Sequence, residues 1–141
     1  MTTQTQAAVQ RPQPLLADSP LYQAHFAALR EDRLTVRKCE DCGQLQWPPR
    51  DLCSTCQSSR FTVVEVPRTG TVYTYSVMYR AFQPWFADKL PYGVVVVQLT
   101  DDVRMMGLYL GDAESLACGQ QVEVQIEANG EGIPLVCWKT R

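Results

Sequence analysis

One histidine is all that the 141-residue chain contains, and that scarcity removes most catalytic constellations at once. A Ser-His-Asp or Cys-His arrangement would have to be built around His25, and no nucleophile motif accompanies it. His25 falls on the apolar face of a predicted helix, where a buried or interface histidine is the expectation and a general base without a paired carboxylate is not. The glycines are scattered singly, so no phosphate-cradling loop is present. No uninterrupted apolar run is longer than residues 94–97, far below the ~20 residues of a membrane-spanning helix. Residues 1–17 lack the apolar stretch of a secretory signal and carry a single Arg, so the cytoplasm is the expected location. A basic excess is missing too: 13 Lys and Arg stand against 15 Asp and Glu, a net charge of −2, which weighs against nucleic-acid binding.

Cysteine, in contrast, is abundant. Of six, four fall in eighteen residues as two Cys-x-x-Cys pairs, Cys39 with Cys42 and Cys53 with Cys56, ten residues apart. A disulfide framework needs an oxidising compartment, for which the chain carries no signal, so metal is the better reading. Two-residue spacing lets both sulfurs of a pair face one ion, and two such knuckles joined by a hairpin complete a tetrahedral site with no open position. Gly43, directly after the first pair, fits the left-handed position that ends a knuckle. The expected cofactor is therefore one structural Zn²⁺, with iron or a redox role as the alternative. Four thiolates and Zn²⁺ sum to −2, and Arg37, Lys38, Arg50 and Arg60 lie near enough in sequence to offset part of that charge. Cys118 and Cys137 have no such spacing and are read as packing cysteines.

With 45% hydrophobic and 20% charged residues the chain is a folded one, and its pattern divides it in three. Residues 1–17, rich in Gln, Thr, Ala and Pro, are expected to be a passive tail. Residues 18–68 begin with a helix: Asp18 or Ser19 can cap it, Pro20 suits its first turn, and Leu21, Tyr22, His25, Phe26 and Leu29 recur on one face until about Asp32 or Arg33. The cysteine knuckles follow, framed by β-forming segments at 34–36, 44–47 and 61–66. Residues 69–141 then hold five strands, at 71–80, 93–100, 103–110, 121–127 and 133–138, turned by Asp101-Asp102 and Asn129-Gly130. The first of these alternates, with Val72, Thr74, Ser76 and Met78 expected on one side. Five strands are too few for an immunoglobulin-like sandwich and suit a small closed barrel, an OB-fold or an SH3-like one.

Residues 69–141 carry five basic and eight acidic side chains, net −3, which makes phosphate tracking by the barrel a weak alternative. The proline-punctuated stretch 81–92 reads as a long loop. Its aromatics, Phe82, Trp85, Phe86 and Tyr92, either form a protein interface or pack back onto the barrel.

The order of these features resembles the DUF35 family. The residues that carry the likeness are the helix ending at Phe26 and Leu29, then Leu34-Thr-Val-Arg-Lys-Cys39-Glu-Asp-Cys42-Gly43, Trp47-Pro-Pro-Arg50 and Cys53-Ser-Thr-Cys56. In the barrel half Gly70-Thr-Val-Tyr73, Pro91-Tyr92-Gly93 and Gly119-Gln-Gln-Val122 agree. The resemblance spans about residues 19–138. It implies a mostly-β chain: an N-terminal helix, a rubredoxin-like four-cysteine zinc ribbon and a five-stranded OB-fold barrel. It also implies a non-catalytic accessory subunit beside a thiolase-like or ketosynthase-like enzyme, such as a thiolase, a steroid side-chain aldolase or the acetyltransferase that acylates phloroglucinols. The catalytic residues would belong to that partner, with acyl-CoA at the shared interface. Docking surfaces would be the ribbon and the loop bearing Phe82, Trp85, Phe86 and Tyr92. Family members commonly carry Gly after the second cysteine pair. Gln57 stands there in this chain, which predicts a differently shaped second knuckle.

Overall fold

The computed structural model describes residues 19–128 and 132–141. The expected tail at 1–17, Asp18 as a cap and the Asn129-Gly130 turn lie outside them.

Helix α1 runs Pro20–Arg30 with Pro20 in its first turn, where a missing N–H costs nothing. Ser19 precedes it without a side-chain capping bond; its carbonyl accepts from Tyr22 N–H at 3.0 Å instead. The helix buries His25, Phe26, Ala28 and Leu29. It ends in a paired wrap: Asp32 N–H donates to Leu29 O at 3.0 Å and Arg33 N–H to Ala28 O at 2.9 Å, with Asp32 left-handed at φ 59°. Asp32 tolerates that conformation as a short polar residue, and Arg68 clamps it through a 3.0 Å ion pair and a bond to its carbonyl.

Strands β1 (Thr35–Cys39), β2 (Leu45–Gln46) and β3 (Phe61–Glu65) form an antiparallel sheet in the order β2-β1-β3. Five further strands close a barrel: β4 (Thr69–Met78), β5 (Tyr92–Gln98), β6 (Arg104–Tyr109), β7 (Gln121–Ala128) and β8 (Pro134–Thr140), in the order β4-β5-β6-β8-β7. All pairings are antiparallel except β6 with β8. That connectivity is the OB-fold arrangement, and it decides between the two barrels left open by strand count.

Closure depends on β4 pairing with β5 along one part and β7 along the other. Two features permit it. A Cβ on Gly70 would stand 2.5 Å from the Gln98 carbonyl oxygen, so only glycine lets the strands cross there. A bulge between Val72 and Thr74 pushes Tyr73 outward, where Arg104 stacks on its ring at 3.7 Å. The bulge corrects the expected alternation: Val72 is buried, Thr74 and Ser76 are exposed, and Tyr75 packs against the core. One extra residue flips every side chain beyond it.

A continuous apolar cluster joins the pieces, from Phe26 and Leu29 of α1 through Val36 and Val66 to Val72, Val95 and the fully buried Trp138. Helix α1 thus packs against both β1 and β8, and this contact positions the cleft described below. Cys137 is buried as a packing cysteine should be; Cys118, also read as a packing cysteine, is exposed, because it lies in the turn before β7.

Candidate functional site

The two cysteine pairs converge. The Sγ atoms of Cys39, Cys42, Cys53 and Cys56 all lie within 4.8 Å of one another, with Cys39 to Cys56 at 3.5 Å and Cys42 to Cys53 at 3.6 Å. Sulfurs bound tetrahedrally at ~2.3 Å stand about 3.8 Å apart, so the cluster has the size of a four-thiolate metal site. Cys39 and Cys53 are buried; Cys42 and Cys56 face outward.

Backbone geometry builds the two knuckles alike. Gly43 N–H donates to Cys39 O at 2.9 Å and Cys39 N–H to Gln44 O at 2.9 Å; Gln57 N–H donates to Cys53 O at 2.9 Å and Cys53 N–H to Ser58 O at 2.8 Å. Gly43 has φ +77° and Gln57 φ 62°. The second knuckle therefore has the same shape as the first, against expectation, because hydrogen bonding across the turn holds Gln57 in the left-handed region. Asp41 ties the knuckles together by accepting from Ser58 and Arg60. Of the four nearby cations, Arg60 is thus paired with Asp41, and Arg37 donates to Arg50 O at 2.7 Å while stacking on Phe61.

The thiols are poised unequally. N–H groups of Cys42 and Asp41 hold Cys39 below the usual thiol range, and those of Cys56 and Thr55 bring Cys53 down to about 6. The Gln44 N–H lowers Cys42, yet burial and the neighbouring sulfurs push it up to about 12; Cys56 rises likewise, against the pull of the Ser58 N–H. Two thiolates in so small a space oppose a third and a fourth, and a cation in their midst removes that conflict. The donor set, its spacing and its charge all fit a thiophilic divalent metal with no open position.

A second concave feature lies between α1 and the barrel, a cleft of about 350 Å³. Tyr22, His25 and Trp47 form one wall, with the His25 and Trp47 rings 4.5 Å apart. Trp85 and Phe86 form the other, edge-to-face at 4.8 Å, and Phe86 stacks on Tyr92 at 4.5 Å. Met106, Leu108 and Val136 make the floor. The aromatic loop is therefore divided: Phe82 is 73% exposed, while Trp85, Phe86 and Tyr92 are half-buried.

Residues 26–62 match the family described as ChsH2, rubredoxin-like zinc ribbon domain, and residues 63–127 match ChsH2, C-terminal OB-fold domain. The benzoylsuccinyl-CoA thiolase subunit BbsA of Thauera aromatica is 30% identical over 107 residues, covering 74% of this chain and 72% of that protein. The chain belongs to the DUF35 family. Its fold agrees with a DUF35 chain solved as "Ltp2-ChsH2(DUF35) aldolase": TM-score 0.77 and 27% identity, over 92% of this chain and 98% of that one. A further relative, a probable enoyl-CoA hydratase alpha subunit of Thermomonospora curvata, is 33% identical over 108 residues. This DUF35 chain covers 75% of its own length in that match and spans only 33% of the relative's. Within the family frame, Cys39, Cys42, Cys53 and Cys56 all lie in the segment matching the zinc ribbon.

Among the described residues no helix is long and apolar enough to cross a membrane. His25, the lone histidine, is buried and held down to about 4 by desolvation, against a backbone hydrogen bond to Thr35 that raises it. It is neutral at ordinary pH. The sequence places it on the buried face but gives no sign that Trp47 and Trp85, far apart in the chain, would line one cleft with it.

Proposed function

We propose that this chain is a non-catalytic, zinc-binding scaffold subunit of a thiolase-like or ketosynthase-like acyltransferase or aldolase complex that acts on acyl-CoA or related acyl substrates in the cytoplasm. The observation that carries the reading is the match along nearly the whole length of a chain solved within an aldolase assembly, at TM-score 0.77. The likeness to a thiolase subunit supports it from sequence. One structural Zn²⁺ is held by Cys39, Cys42, Cys53 and Cys56. Four protein ligands fill its coordination sphere, so it folds the ribbon and activates no water. The catalytic nucleophile and base come from the partner, and acyl-CoA is bound where the two subunits meet.

Phe82 is the exposed residue of the partner-facing surface, and Trp85, Phe86 and Tyr92, half-buried and in ring contact with one another, complete it; aromatic anchors are what interfaces concentrate. A stand-alone nucleic-acid role finds no comparable support, given eight acidic against five basic side chains in residues 69–141. Co-expression with a thiolase-like chain of the same organism, followed by size exclusion and mass spectrometry, tests the proposal. A stable hetero-oligomer that turns over thioester only when both chains are present is the expected outcome. Thioester turnover by this chain alone would overturn it.

A further inference from the structure

The two cysteine knuckles come from separate stretches of chain, and backbone pairing joins them only in part. Strand β1 runs beside β3 as far as Cys39 opposite Phe61, and the ladder ends one residue on, where Glu40 N–H donates to Arg60 O at 3.0 Å. Beyond that bond, among the described residues, no main-chain hydrogen bond joins the first knuckle to the second. Cys42 and Cys56 are the exposed members of the cluster. The sulfurs that water or a competing ligand reaches first therefore belong to the part that the ladder does not span.

One side chain spans it. The Asp41 carboxylate, beside Cys42, accepts from the Ser58 hydroxyl, from Arg60 Nε at 3.4 Å and from an Arg60 Nη. Ser58 Oγ in turn accepts from the Arg60 N–H at 3.1 Å, so the three residues close on one another. A lone exposed ion pair contributes little, but a two-point guanidinium–carboxylate contact is the geometry that does better. Glu40, with the same charge one residue earlier, accepts no side-chain hydrogen bond among the described residues. Charge and latch predict opposite signs. Four thiolates and a divalent ion sum to −2, so by repulsion alone a carboxylate beside them loosens the ion and its removal would strengthen retention. Hydrogen bonds across the knuckles act the other way.

We propose that Asp41 is a positioning residue for the metal: with Ser58 and Arg60 it clamps the knuckles together at the exposed Cys42 and Cys56, and so sets how slowly the bound ion leaves. The inference deepens the reading of a structural Zn²⁺ and rests on that ion being bound. Outer partners of metal ligands change metal affinity by about 10–100-fold when removed. The lower end applies here, because the latch holds the knuckles and not the sulfurs themselves.

Zinc transfer from the full chain to excess 4-(2-pyridylazo)resorcinol tests it. Asp41→Asn keeps the shape, removes the charge, and should release the ion roughly tenfold faster than the parent. Glu40→Gln removes the same charge without touching the latch and should stay within about twofold of the parent. Ser58→Ala should also accelerate release, and combined with Asp41→Asn it should add less than its single effect, since both cut one network. Brief alkylation with N-ethylmaleimide gives a readout that general loss of stability would not. In Asp41→Asn the labelling of Cys42 and Cys56, scaled to the exposed Cys118, should rise ahead of that of Cys39 and Cys53, whereas unfolding exposes all four together. Release from Asp41→Asn no faster than from the parent, equal acceleration by Glu40→Gln, or labelling of all four cysteines at one rate overturns the latch. A parent chain that takes up no zinc overturns the metal reading and the latch together; one ion per chain with unchanged release overturns the latch alone.

Discussion

Acid should destabilise this protein through His25 in a way that one substitution isolates. In the folded chain burial lowers the imidazole from 6.5 to about 4, while the hydrogen bond to Thr35 opposes that effect. The unfolded chain takes up the proton near the ordinary value. Between those two pH values the unfolded state binds more protons, so stability is fully present above about pH 6.5 and falls as pH drops, levelling off only near pH 4. The whole depression corresponds to about 3 kcal/mol, of which about 2 kcal/mol is lost between pH 7.5 and pH 5. Other groups titrate too: Asp41, held below the usual carboxylate range by Arg60, and the ribbon thiolates lose their native advantage in acid. His25→Phe shares those groups and lacks the imidazole. Urea denaturation at half-unit steps from pH 7.5 to pH 5 should give a variant whose stability falls by about 2 kcal/mol less than the parent's. The variant's stability at pH 7.5 is immaterial; only the slope counts. Parallel slopes would refute the claim that folding buries a neutral histidine.

Four further outcomes follow from the same structure. Cys53→Ser removes one of the thiols that backbone N–H groups favour as thiolate; metal content by plasma mass spectrometry should drop from one per chain toward zero, and the β1-β2-β3 sheet should lose its amide protection, since the metal's apparent binding energy in such sites is on the order of 10 kcal/mol. Gln57→Gly should stabilise the second knuckle by up to ~1 kcal/mol, and Gly43→Ala should destabilise the first by a similar amount, as read from thermal midpoints, because both positions are left-handed. Gly70→Ala should cost about 1–3 kcal/mol, because its new methyl would stand 2.5 Å from the Gln98 carbonyl oxygen and force β4 and β5 apart; an unchanged melting temperature would contradict the crossing geometry.

What the sequence reveals of this molecule depends on how far apart the cooperating residues lie. Each metal knuckle is written within six residues, from Cys39 to Gln44 and from Cys53 to Ser58, so spacing alone exposes the site. Strand β5 is equally plain, because an unbroken run of β-branched valines at 94–97 marks it and its buried positions, Gly93, Val95 and Val97, alternate without interruption. Strand β4 misleads for the opposite reason. Its bulge at Tyr73 involves no glycine or proline at the bulged position, and only closure of the barrel on both β5 and β7 requires it. Gln57 shows the limit of residue preference: the backbone bonds of the knuckle outweigh the cost of a left-handed glutamine.

The cleft stands at the far end of this scale. Its lining runs from Tyr22 to Val136, and no local pattern connects a tyrosine on a helix with a valine on the last strand. They meet because α1 shares one core with β1 and β8, so the seam between ribbon and barrel is a consequence of packing rather than of motif. The difference has a functional reading. A closed four-cysteine centre fixes shape, whereas a seam can be relined one residue at a time without disturbing either the cysteine cluster or the barrel. Variation in such a protein is therefore tolerated at the seam more readily than at the four-cysteine centre, because the seam is held by packing alone.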